Sequence, residues 1–130
     1  MIDKTTSLEN ALTGIHDGDT IMVKGYGVPG RPFTLIDGLL ESGVSNLTLI
    51  KNEANEDLMG LSKLIETNRA QKLITSHLGL NATAIGMMNR REIEVEFYPQ
   101  GILAEKIRAG VGNPHEMAAE GNIGILGMGK

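Results

Sequence analysis

Apolar positions along this chain fall into two rhythms: short solid runs, and wider stripes at helical spacing. The runs are "TIMV" (Thr20 to Val23), "LTLI" (Leu47 to Ile50) and "KLIT" (Lys72 to Thr75), each of strand length and mostly apolar. Such runs suit strands covered on both faces. A fourth, "EIEVEF" (Glu92 to Phe97), alternates strictly, with Ile93, Val95 and Phe97 on one side and three glutamates on the other. One wet face predicts an edge or surface strand. Between the runs lie stripes that predict helices: Leu8, Leu12 and Ile15; Leu35, Ile36, Leu39 and Leu40; Leu58, Leu61, Leu64 and Ile65; Ala84, Ile85 and Met88; Ile102, Leu103 and Ile107.

Punctuation agrees with this division. Thr6-x-x-Glu9 reads as a capping box for the first helix, which "HDGD" ends. Pro32 suits the first position of the second helix and Gly43 stops it. Asn81 can cap the fourth helix, and the last starts near Gly101. Strands separated by helices at roughly 20–25 residues imply right-handed crossovers. The fold expected is α/β, a three-layer open sheet, mainly parallel, with helices on both faces. Residues 1–112 form the expected domain, and 113–130 a short glycine-rich tail.

Composition narrows the function. The 130 residues are 41% apolar and 22% charged, the size and make-up of one folded domain. No run approaches the ~18 apolar residues of a membrane span. "MIDKTTSLEN" has no apolar signal core, so the expected location is cytoplasmic and no membrane partner is expected. Cysteine is absent, which removes disulfides and thiolate chemistry. A net charge of -4 with few aromatic residues argues against nucleic acid. His16, His77 and His115 show no ligand spacing, the glutamate row has no histidine near it, and no metal site is expected. The methionines read as core filler.

Seventeen glycines are the informative excess. Gly25-Tyr26-Gly27-Val28-Pro29-Gly30 spells the G-x-G-x-x-G of dinucleotide loops, and Glu53 could imitate the ribose-binding acid. That loop needs its third glycine inside the helix start, whereas Pro32 leaves Gly30 in the turn. A nucleotide-binding Rossmann-like module therefore stands as one reading, and a turn rich in glycine for shape alone as another.

The block "DGDTIMVKGYGVPGRP" (Asp17 to Pro32) resembles the glycine-loop signature of family I coenzyme A transferases, in their α subunit or α half. The family pattern has Gly at Lys24, Phe at Tyr26 and often Glu at Phe33. "LIDGLLESGVSNLTLIKNEA" resembles the following helix and strand, whose usual end is Ser-Asn-Asn-Ala-Gly; Asn52 and Glu53 fall on the two Asn positions. "KLITSHLGLN" is similar to the third strand and its loop. "EIEVEFYPQGILAEKIRAG" (Glu92 to Gly110) resembles the block Glu-Leu-x-Pro-Gln-Gly-x-x-Ala-Glu-Arg-Ile-Arg-Ala-Gly. The match is colinear from Asp17 to Gly112.

The resemblance implies an enzyme that moves CoA between an acyl-CoA and a carboxylic acid through a glutamate anhydride and a glutamyl thioester. That glutamate belongs to a β subunit, in a Glu-Asn-Gly turn, so the expected partner is a β chain in a hetero-oligomer. Self-association is the alternative. Acyl-CoA is a substrate, and no permanently bound cofactor is expected. The matching pocket residues are Asn52, Glu53 and Gln100, with Gly25, Gly27 and Gly30 shaping the facing loop. Asn52 and Gln100 can donate to a carboxylate or thioester oxygen without adding charge. Glu53 would repel an anionic substrate unless protonated. A degenerate, non-catalytic interaction protein is the other reading. Family α chains are longer, so the chain is expected to be a truncated form. "GILGMG" (Gly124 to Gly129) is similar to the segment after the β-subunit Glu-Asn-Gly, with Asn122 and Ile123 at the Glu and Asn positions. Glu120 lies two residues too early to be the favoured nucleophile.

Overall fold

A computed structural model describes residues 5–23, 32–112 and 123–126. In chain order the elements are α1 (Leu8–Leu12), β1 (Thr20–Val23), α2 (Phe33–Ser42), β2 (Leu47–Ile50), α3 (Leu61–Glu66), β3 (Ala70–Thr75), α4 (Ala82–Asn89), β4 (Glu94–Phe97), α5 (Gln100–Gly112) and β5 (Ile123–Leu126). The strands form one sheet in the order β4-β3-β2-β1-β5, and each pairing is parallel.

From β1 to β4 every step moves one place the same way, so right-handed crossovers put α2, α3 and α4 on one face. They pack side by side there, with α1 against α2. The core lies between this layer and the sheet: Ile21, Leu47, Leu49 and Leu73 point into it and are fully buried, as are Leu39 and Leu64 from the helices. The connection from β4 back to β5 reverses direction and carries α5 to the other face. Lys106 of α5 lies 4.7 Å from the centre of the Tyr98 ring, and its charge acts on Glu96. The fold is thus an α/β parallel sheet with helices on both faces.

Most boundaries fall where the pattern puts them, and β2 matches in full. The N-cap of α1 is Ser7, not Thr6. Ser7 Oγ accepts from the Asn10 amide at 3.2 Å because the helix begins one residue later than the capping-box reading requires. Pro32 stands just outside α2; its ψ of 64° is not helical, and its carbonyl accepts from the Ile36 amide at 3.0 Å. Leu58 lies outside α3, with φ at 62°, while Leu61, Leu64 and Ile65 carry the buried stripe. In α4 the buried residues are Ala84 and Met87, and Ile85 is exposed. β4 is an edge strand, as its wet face predicts, but shorter: Glu92 pairs with Arg90 in the preceding turn. Glu94 and Glu96 answer Lys72 on the neighbouring strand, at 3.8 and 3.0 Å. Gly43 ends α2 at φ 78°, the left-handed cap that its position predicts.

Candidate active site

In an open parallel sheet, the βα connections at the carboxyl ends of the strands share one edge, and ligands bind there. The described residues put Asn52 and Glu53 on that edge after β2, Ser76 and His77 after β3, and Gln100 at the start of α5, after β4. The strands leading to Asn52 and Gln100 are two spacings apart, about 10 Å. Both amides therefore sit on the same edge of the molecule. Gly25, Gly27 and Gly30 lie outside the described residues; Val23 ends β1 at this edge and Pro32 immediately precedes α2. Glu120, His115, Asn122 and the segment from Gly127 to Gly129 are also outside them.

Between the two amides the connection after β3 is tied to the connection after β2. Glu53 and His77 form an isolated parallel bridge beyond the strand ends. The Asn52 carbonyl accepts from the Ser76 amide at 3.1 Å and from the Thr75 hydroxyl at 2.9 Å. Ser76 Oγ lies 2.7 Å from that carbonyl and 2.6 Å from Asn52 Oδ1. Asn52 is half-buried and Gln100 exposed, so both are within reach of a ligand.

Beneath the edge lies a buried polar layer, of which the residue pattern flags Asn81 alone, as the cap of α4. Asn81 is completely buried: its Nδ2 donates to Ser62 Oγ at 2.8 Å and to the Asn55 carbonyl, and its Oδ1 accepts from the Ala84 amide at 2.8 Å. Asn55 Oδ1 accepts from the Leu61 amide at 3.2 Å and so fixes the start of α3. Asp57 Oδ1 takes the Thr83 amide at 3.1 Å. Lys51, next to Asn52, is buried as well. Charged groups are rarely buried without a partner, and Lys51 interacts within the protein. Sequence reasoning singled out neither Lys51 nor Ser76. For Ser76 the available signal was its place in "KLITSHLGLN".

The edge is also apolar on its outside. Phe33, Leu58, Leu80, Ile85, Phe97 and Ile102 are the large apolar side chains left exposed among the described residues. Each stands at the end of a strand, in a βα connection or in the first turn of the helix that follows. No group of three metal-ligating side chains occurs among the described residues, and no described helix is long and apolar enough to cross a membrane.

Residues 5–118 match the family described as coenzyme A transferase. This chain belongs to the coenzyme A transferase family. It is 43% identical over 107 residues to a probable coenzyme A transferase alpha chain of Bacillus subtilis, covering 82% of this chain and 47% of that protein. It is 41% identical over 110 residues to the alpha chain of an acetoacetyl-CoA:acetate/butyrate CoA transferase of Clostridium acetobutylicum, covering 85% of this chain and 50% of that one. An acyl-CoA transferase apoenzyme from Escherichia coli O157:H7 superposes with a TM-score of 0.71 at 26% identity, over 82% of this chain and 22% of the other. The chain thus spans about half the length of the curated relatives it matches.

Proposed function

We propose that this chain is an α-type component of a CoA-transferase, acting in the cytoplasm on an acyl-CoA and a small carboxylic acid, with the nucleophilic glutamate supplied by a β-type partner. The observation that carries this reading is the placement of two neutral carboxamides, Asn52 and Gln100, on one edge of a parallel sheet. The family membership of residues 5–118 supports it.

In the reaction proposed, the partner's glutamate carboxylate attacks the thioester carbonyl and CoA leaves as thiolate, giving a mixed anhydride. The thiolate then attacks the glutamyl carbonyl of that anhydride, expelling the first acid as its carboxylate and leaving a glutamyl thioester. The second carboxylate attacks this thioester, the thiolate leaves again, and its return to the new acyl group frees the glutamate. Each addition puts negative charge on a carbonyl oxygen. Amide N–H groups fixed in advance stabilise that charge without an anion-trapping positive charge. The activated glutamate must also be kept from water, which a docked partner accomplishes.

Leu58 and Leu80 support a docked partner. They are 75% and 87% exposed, and each forgoes about 1.5–3 kcal/mol of burial in the isolated chain. A partner seated on this edge would recover that energy while closing the site. The test is to purify the chain with a β-type chain carrying Glu-Asn-Gly and to follow CoA exchange between acids. Transfer by the pair and none by either chain alone is expected, with hydroxylamine trapping the activated glutamate on the partner. A stable pair that transfers nothing would leave the non-catalytic reading standing. Stabilisation by NAD or ATP without CoA transfer would favour the nucleotide module.

A further inference from the structure

We propose that Ser76 is a positioning residue that locks the Asn52 side chain as a hydrogen-bond donor, with its carbonyl oxygen held inward and both Nδ2 protons left for a ligand. This rests on the reading of Asn52 given above. Two observations carry it. The first is the length of the contact between Ser76 Oγ and the end of the Asn52 side chain, 2.6 Å. O–H···O bonds span about 2.5–3.0 Å, whereas N–H···O bonds rarely fall below about 2.7 Å. The atom facing Ser76 is therefore the oxygen, and the proton between them comes from the serine.

The second is the demand on the Asn52 backbone carbonyl. It lies 2.7 Å from Ser76 Oγ, so it competes for the serine's one proton. Its two lone pairs already receive the Ser76 amide at 3.1 Å and the His77 amide at 3.4 Å, and the Thr75 hydroxyl, whose one proton is shared with the His77 carbonyl at 3.0 Å, lies 2.9 Å away. The Ser76 proton is thus directed to Oδ1. With the amide turned the other way, Asn52 would present a second acceptor at the edge, useless to an oxygen gaining negative charge. Nδ2 makes no hydrogen bond to another described residue.

The orientation can be read on the full chain by itself. The Asn52 carbon Cγ is observed through its own Nδ2H2 group in nuclear magnetic resonance, with the backbone amide spectrum reporting the fold. Ser76→Ala keeps the backbone bond to Asn52 and removes the hydroxyl, so the Cγ resonance should move upfield. Ser76→Thr, which restores a hydroxyl, should bring it back, and Ser76→Cys, a weaker donor, should fall between. A Cγ resonance unmoved in Ser76→Ala, with or without a change at the Nδ2 protons, overturns the proposal. In a complex that transfers CoA, Ser76→Ala should lower kcat about tenfold or more with KM within about twofold, and Ser76→Thr should recover it. Equal losses in both variants would also overturn it. Failure of every partner complex to transfer CoA would strike the functional reading and leave the resonance result to decide the orientation.

Discussion

Asn81 Nδ2 donates to the backbone carbonyl of Asn55 at 3.0 Å, joining the connection after β3 to the connection after β2 inside the protein. The same side chain caps α4 and holds Ser62 of α3, so one buried amide fixes three elements under the candidate site. Removing it strands several buried polar groups at once. Asn81→Ala should cost on the order of 3 kcal/mol, as a lost cap plus unsatisfied partners. Urea unfolding checks this: the midpoint should fall with little change in slope.

Gly43 makes the opposite kind of contribution, through backbone alone. A Cβ there would meet nothing within 4 Å, yet φ is 78°. Gly43→Ala should therefore cost about 1–2 kcal/mol from the left-handed conformation, with no packing change. The midpoint of thermal or urea unfolding measures it.

Leu58 combines that same conformation with 75% exposure. Both features work against it in the isolated chain, so Leu58→Gly should leave stability unchanged or raise it by up to about 1 kcal/mol. If the edge receives a partner, the same variant should weaken association measurably. A variant with lower stability and unaltered association would contradict the role given to this rim.

Glu96 gives a pH signature. The Tyr98 hydroxyl, at 2.6 Å from Oε1, and the Lys72 ammonium, at 3.0 Å from Oε2, hold its carboxyl below the usual glutamate range. A group depressed in the folded state stabilises above its unfolded value, about 4.3, and loses that contribution as pH falls through the folded value. Wild type should thus be more stable than Glu96→Gln near neutrality, and the gap should narrow progressively as pH falls below the unfolded value. Urea midpoints followed from neutral to acid pH test the sign.

Glu53 and Gln100 should act oppositely in an active complex. Gln100→Leu removes a donor at the edge and should lower kcat by about 100-fold. Glu53→Gln replaces a carboxylate beside an anionic substrate by a neutral amide and should raise kcat/KM, chiefly through KM. Steady-state rates with the carboxylic acid varied would check both.

The strands and stripes were legible because burial on a sheet or helix face imposes a period on apolar residues. Leu47 to Ile50 had no competing pattern, and neither did the Gly43 stop. Leu58 misleads because its spacing continues the α3 stripe, while Asn55 and Gly60 end the helix register through hydrogen bonding and backbone conformation. Asn52 and Gln100 were found by resemblance of whole blocks, and strand order explains why they share an edge. In the buried layer, Asn81 was legible as the cap of α4, but its burial and its contacts to Asn55 and Ser62 carried no signal. Polar residues read as surface until tertiary contacts bury them, and a single amide has no period.

The strand order β4-β3-β2-β1-β5 has a kinetic consequence. The first four strands each join a neighbour in the chain, so they can accrete one crossover at a time. β5 must instead return past all of them, so that Ile123 meets Thr20. Closing so long a loop delays its contact in folding. The edge contributed by β5 should therefore be the last part of the sheet to zip up and the first to surrender its amide protons to deuterium.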